Sequence, residues 1–194
     1  TNETTPRKID VLSTDKKFAK NLLTAKNPLT DYALPKVENV TLKASDGTDL
    51  YGKLIYPTDF DKSKKYPVVV YLYNGPHAQM NLNRFPASGN LWYDYMAQNG
   101  YVVWVMDGRG SANRGLKFEQ SIFRNLGEIE MEDQMKGVDY LKSLSFVDGN
   151  RMGIHGWSYG GFMTTSFMLK KPDVFKAGVA GGPVMDWSMY EIMY

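Results

Sequence analysis

Residues 156–160 read Gly-Trp-Ser-Tyr-Gly. A serine hydroxyl attacks a carbonyl only when a base takes its proton and fixed donors hold the charge that develops on the carbonyl oxygen. The G-x-S-x-G spacing suits that task if Ser158 lies where a strand turns sharply into a helix, exposing the hydroxyl at the sheet edge. Glycines at 156 and 160 then follow, because a Cβ at either place would crowd the neighbouring strand or helix. The helix start would bring the backbone N–H of Tyr159 beside Ser158 as one oxyanion donor. A second donor belongs after the strand that precedes the first helix, where the chain reads Leu72-Tyr73-Asn74-Gly75-Pro76-His77. No run of glycines offers backbone amides there. Tyr73 stands at the strand end, either as a phenol donor or as a buried structural tyrosine, and the chemistry alone leaves both readings open.

The flanking segments supply the elements this arrangement needs. "VTLKA", then Ser45-Asp46-Gly47-Thr48, then "LYGKLIYP" predicts two strands joined by a hairpin turn. "YPVVVYLYNG" and "YVVWVMDGRG" predict strands buried on both faces, each closing on turn residues. A helix is predicted over 91–98, stopped by Asn99-Gly100. Another is predicted over 128–145, with Met131, Met135, Val138 and Leu141 on one face and Glu132, Lys136 and Asp139 on others. The acidic run Glu128, Glu130, Glu132 and Asp133 reads as a solvated face that favours the helix N-terminus, not as a metal site. "RMGIHGW" predicts a strand, "YGGFMTTSFMLKK" a helix and "KAGVAGGP" a further apolar run. Strands alternating with helices give an α/β fold with a largely parallel sheet flanked by helices. Residues 1–38 are polar and Thr- and Lys-rich, with strands near Ile9–Leu12 and Lys20–Leu23.

Composition narrows the function classes. The 194 residues carry 23 Lys plus Arg against 21 Asp plus Glu, and no basic block, which speaks against nucleic acid as a partner. With no cysteine, a disulfide framework, a thiol nucleophile and a cysteine-ligated metal are excluded. No apolar run approaches the ~18 residues of a membrane span. The opening "TNETTPRKID" has no signal-peptide apolar region and no initiator Met, and reads as a processed or truncated start.

"GWSYGG" at 156–161, "YNGP" at 73–76, "DGRGS" at 107–111 and "EDQ" at 132–134 together resemble the prolyl oligopeptidase family of serine peptidases. The wording is similar to its dipeptidyl peptidase IV and prolyl tripeptidyl peptidase branch, over about residues 40–194. The resemblance implies the α/β-hydrolase fold, Ser158 as nucleophile, and the Tyr73 hydroxyl with the Tyr159 N–H as the oxyanion hole. It implies that Val184, Trp187, Tyr190 and Tyr194 line a small apolar pocket for proline, for which flat aromatic walls are well shaped. It also implies that 1–38 are the end of a β-propeller plus linker, and 39–194 the first part of the catalytic domain. Proline-containing peptides as substrates, no cofactor, a homodimer, and a periplasmic or cell-surface location follow from the same resemblance.

The triad of this fold runs Ser, Asp, His along the chain. After Ser158 come Asp173 and Asp186 but no histidine; the two histidines, His77 and His155, precede it. His155 reads as a satisfied core histidine, and chain order speaks against His77 as the base. The chain is therefore expected to be the front of a catalytic domain, truncated before the last strands and inactive alone. Two other readings are a carboxylesterase on the same fold and a silent hydrolase-like binding module. The tyrosine in place of a glycine-rich oxyanion loop argues against the first, and intact Ser158 with Tyr73 against the second.

Overall fold

The computed structural model describes residues 2–190. Six strands form the main sheet: β3 (Val37–Lys43), β4 (Asp49–Ile55), β5 (Tyr66–Tyr71), β6 (Val102–Asp107), β7 (Val147–Trp157) and β8 (Ala177–Gly181). Their spatial order is β3-β4-β6-β5-β7-β8. β3 and β4 are an antiparallel hairpin, and β4 is antiparallel to β6. From β6 through β5 and β7 to β8 every pairing is parallel. β1 (Lys8–Leu12) and β2 (Ala19–Thr24) pair in a separate two-stranded sheet, exposed along both strands. The segment before β1 is tied to the main sheet by Lys53, whose buried ammonium donates to Glu3 Oε1 at 2.6 Å and to the carbonyls of Leu82 and Ala87 at 2.9 and 2.8 Å.

The helices are α1 (Leu91–Gln98), the single turn α2 (Leu116–Glu119), α3 (Ile129–Ser143) and α4 (Tyr159–Lys170). Asn90 caps α1, its side-chain oxygen accepting from Trp92 N at 2.9 Å, and Gly100 leaves the helix at φ +82°. α3 and α4 cover one face of the sheet, burying Val68, Val70, Trp104 and Ile154 with Val138, Leu141, Met163 and Phe167. Each such side chain taken from water contributes roughly 2 kcal/mol. α1 covers part of the other face through Tyr93 and Ala97, packed with Ile55, Val103 and Val105.

That unequal cover changes one expectation. β6 is buried at every position, as its apolar run predicts. β5 alternates between buried and half-buried residues, because only its α3–α4 side is fully packed. A second correction concerns the acidic run. Glu128 and Glu132 are exposed, but Glu130 and Asp133 are 0 % exposed. Charged residues were read as solvated by type, whereas these two have partners on distant segments that only the tertiary fold brings in.

Candidate active site

β7 ends at Trp157 and α4 begins at Tyr159, so Ser158 is the whole junction. It sits at φ +58°, ψ −116°, a backbone region that a residue with a Cβ enters only under strain. The surroundings enforce it. The Ser158 N–H donates to Gly181 O at the end of β8, 2.8 Å away, and its carbonyl accepts from Phe162 N at 3.0 Å in the first turn of α4. A Cβ on Gly156 would lie 2.3 Å from Gly160 O, and one on Gly160 would lie 2.3 Å from Leu72 O. Both obstacles are backbone, so neither can rotate aside. The expected crowding at 156 and 160 is therefore present, and Gly161 adds a third close approach, 2.5 Å from Gly181 O.

Tyr159 opens α4, so its amide belongs to the positive end of that helix, next to Ser158. Its ring is 1 % exposed, and its phenol donates a short hydrogen bond to Glu130 Oε1. Tyr73 arrives from β5 through Leu72, whose N–H bonds His155 O at 3.0 Å. The Tyr73 Cα would be 3.1 Å from a Cβ on Gly160, so this residue lies directly over the first turn of α4. Its ring packs against Tyr159 with centroids 6.1 Å apart. Gly75 lets the two rings meet: a Cβ there would come within 2.6 Å of Tyr73 Cε1 and 2.9 Å of Tyr159 Cγ. Asn74, at φ +59°, turns the chain between them and is buried.

Trp187 packs on the Tyr159 ring at 5.4 Å, on Phe162 at 5.2 Å and on Tyr190 at 5.4 Å. Val184 is half-buried in the same segment. Among the predicted pocket residues, Trp187 and Tyr190 are thus brought beside the elbow, while Tyr194 lies outside the described residues. Asp186 accepts from Ser188 N and Oγ at 2.9 and 2.6 Å, and these bonds hold its carboxyl below the usual range. It caps the turn at Trp187–Met189.

Neither histidine bonds an elbow residue. His77 Nδ1 is 2.8 Å from Glu119 Oε1 on an exposed loop. His155 points to the α1 side of the sheet, its ring against Tyr71 and Trp92 and its Nδ1 3.0 Å from Val179 O. It is half-buried there: its Nδ1 has a partner, as expected of a satisfied histidine, but on the partly covered face of the sheet and not in the core. A cavity of about 670 Å³ opens on that same face, lined by Val69, Trp92, Met96, His155 and Val179. Size alone would make it a binding-site candidate. It holds no strained nucleophile and no oxyanion donor, so the chemistry points to the elbow instead. Among the described residues no group of His, Asp and Glu is arranged to hold a metal ion.

The buried polar residues behind the elbow were missed by sequence reasoning. Glu130 accepts from the Tyr159 phenol and, at 2.9 Å, from Gly127 N; burial pushes its carboxyl up. Gln134 donates to Asn74 Oδ1 at 2.9 Å and to Met106 O at 2.8 Å. Asp133 takes the Arg109 guanidinium at 2.7 Å and the Arg109 N–H at 2.7 Å. The four motifs that carried the resemblance are thus one connected cluster around the first turn of α4. A usable signal was present: continuing the face of Leu141, Val138 and Gly137 back along α3 by its own period arrives at Gln134 and Glu130.

Comparison with known proteins agrees with this geometry. The family model described as "Prolyl oligopeptidase family" matches residues 90–194. The chain is 40% identical over 186 residues to mouse dipeptidyl peptidase 8, covering 95% of this chain and 21% of that protein. It is 40% identical over 169 residues to bovine prolyl endopeptidase FAP, covering 87% of this chain and 22% of that protein. A solved structure from Bacteroides ovatus, described as a candidate dipeptidyl aminopeptidase IV, superimposes with a TM-score of 0.95 at 52% identity, over 100% of this chain and 28% of that one. Porphyromonas gingivalis dipeptidyl peptidase 4 does so with a TM-score of 0.86 at 33% identity, again over 100% of this chain and 28% of that one. The chain thus spans about a fifth of the length of the curated relatives it matches.

Proposed function

Because the chain belongs to the prolyl oligopeptidase family, we propose that it is the nucleophile-bearing part of a serine exopeptidase that releases N-terminal di- or tripeptides after proline. The observation that carries this reading is Ser158 held at φ +58° by glycines pressed against backbone, with Tyr73 laid over the helix start beside it. In the proposed reaction Ser158 Oγ attacks the carbonyl carbon of proline itself and gives its proton to a histidine supplied by further sequence. The carbonyl oxygen becomes an oxyanion, received by the Tyr73 hydroxyl and the Tyr159 N–H at the positive end of α4. Collapse breaks the peptide bond, protonates the leaving amine and leaves an acyl-Ser158 ester, which water hydrolyses. The proline ring would lie among Val184, Trp187, Tyr190 and Tyr194, with Trp187 already seated on Tyr159.

The names of the relatives, dipeptidyl peptidases and a prolyl endopeptidase, support this substrate class. A tyrosine rather than a glycine run after β5 supports it over a carboxylesterase. In the same proposal residues 1–38 end a propeller domain and lead into the catalytic domain from 39 onward, and the homodimer and the periplasmic or cell-surface location go with it. The 194 residues alone lack a histidine placed to serve Ser158, so this polypeptide should be essentially inactive, slower than the complete enzyme by about 10⁴-fold or more.

The test is the intact mass before and after a fluorophosphonate probe, beside turnover of Gly-Pro and Ala-Ala-Pro anilides and a simple aryl ester. The complete protein is expected to gain one adduct on Ser158 and to prefer the proline amides; the 194-residue polypeptide is expected to gain none. Full activity in a complete Ser158→Ala protein, or efficient turnover by a verified 194-residue chain, would overturn the proposal.

A further inference from the structure

We propose that α3 sets the oxyanion hole: Glu130 and Gln134, one helical turn apart, are positioning residues that hold Tyr159 and Tyr73 in place from behind. The inference deepens the peptidase reading and rests on it.

Residues four apart on a helix share a face. On α3 that face looks at the underside of the elbow, and each of the two residues reaches one arm of it. Glu130 spends one oxygen on the Tyr159 phenol and the other on Gly127 N, so the carboxylate is fixed at both ends. Holding the phenol fixes the ring, and the ring is rigidly attached to the residue whose N–H stands beside Ser158. Gln134 is also fixed at two points, on Met106 O in β6 and on Asn74 Oδ1. Asn74 directly follows Tyr73 and holds the left-handed turn that folds the Tyr73 ring back over Gly75. Glu130 and Gln134 are both at most 2 % exposed, so neither bond competes with bulk water.

The same phenol bond has a second reach. The Tyr159 ring packs on Tyr73, with centroids 6.1 Å apart, and on Trp187, with centroids 5.4 Å apart. Glu130 therefore anchors a ring that touches both the proposed oxyanion donor and the proposed proline wall. Neither Glu130 nor Gln134 touches a reacting atom; both act through the residue they hold.

The test uses the complete enzyme and begins with Tyr159→Phe, which removes one hydroxyl and keeps the ring. Gln134→Met is the matching change on the other arm, and Glu130→Gln is tested alone and combined with Tyr159→Phe. Each variant is assayed for kcat and KM on a proline anilide, and for affinity towards a peptide aldehyde, which forms an oxyanion, and towards the released product, which does not. The expected result is a fall in kcat of about 10–100-fold with KM little changed. Aldehyde affinity should weaken in proportion to kcat and product affinity should hold. The double variant should be no worse than the poorer single one, because Glu130→Gln leaves one acceptor oxygen for two donors, the Tyr159 O–H and the Gly127 N–H, and Tyr159→Phe withdraws the first of them. Values of kcat within about twofold of the unaltered enzyme for Tyr159→Phe and Gln134→Met would overturn the inference, as would equal weakening of aldehyde and product. If the unaltered enzyme shows no Ser158-dependent turnover, the peptidase reading itself fails, which is a different outcome from an active enzyme indifferent to these substitutions.

Discussion

Single residues around Ser158 are constrained by different kinds of neighbour, and the kind decides what a substitution does. An alanine methyl on Gly160 would meet Leu72 O at 2.3 Å and Tyr73 Cα at 3.1 Å, both main chain. Strands and helix would have to part, so Gly160→Ala should cost about 3 kcal/mol of stability. On Gly75 the obstacles are the rings of Tyr73 and Tyr159. A ring can swing aside, so Gly75→Ala should cost about 1 kcal/mol yet carry the Tyr73 hydroxyl away from its proposed place at the oxyanion and, on the proposed mechanism, lower kcat of the complete enzyme about 100-fold. Urea midpoints and kcat measured on both variants check this; matching losses in both quantities would refute the distinction. The roles of Gly156 and Gly160 were legible in the sequence because the G-x-S-x-G spacing marks the sharp turn itself, although the backbone pressed against Gly160, at Leu72 and Tyr73, lies far earlier in the chain. Gly75 read only as a turn residue, since one of the rings it accommodates belongs to Tyr159, on a segment far along the chain.

Among the elements, α3 carries most of what lies hidden behind the site. Asp133 is fully buried against Arg109, whose guanidinium also reaches Asp46 at 3.3 Å and Glu132 at 3.4 Å. Removing one charge from such a pair strands the other. Asp46 and Glu132 are both more exposed and soften the loss, so Asp133→Asn should cost about 3 kcal/mol, at the low end for a buried pair. A urea midpoint unchanged from the unaltered protein would count against this. The period of apolar residues predicted α3 nearly to its ends, and the Asn99-Gly100 stop signal placed the end of α1. It did not predict that three polar residues continue the buried face, because pattern-reading assigns charge to solvent unless a partner is in view. Here the partners are Tyr159, Asn74 and Arg109, none of them on the helix.

The whole molecule has an uneven protonation response. Burial raises the carboxyls of Asp94, Asp107 and Glu130, whereas hydrogen bonds lower those of the exposed Asp46 and the half-buried Asp148. A raised carboxyl binds its proton more tightly folded than unfolded. Its contribution is therefore full below the unfolded value, 4.5 for Glu130, and is lost as pH rises through the folded one. Glu130→Gln removes that titration. The stability of the unaltered protein relative to this variant should decline as pH is raised above 4.5, read from urea midpoints at each pH. A difference constant across the range would sink the prediction. The parallel sheet was legible in the alternation of strands and helices. The half-open face of β5 was not, since an apolar run looks the same whether one neighbour covers it or two.

The Ser158–Gly181 hydrogen bond has a consequence in time. Chain order and spatial order coincide from β5 outward: β5, then β7, then β8, each strand laid on the last. A ribosome that releases the chain N-terminus first would let the sheet grow by accretion in that direction. The serine is synthesised before the backbone carbonyl that clamps its amide, so the elbow stays loose until β8 docks. Hydrogen exchange at the Ser158 amide, fast in a chain ending before β8 and slow in one that includes it, is the expected signature. A chain assembled in this sequence acquires the fixed geometry of Ser158 only after the surrounding sheet is in place.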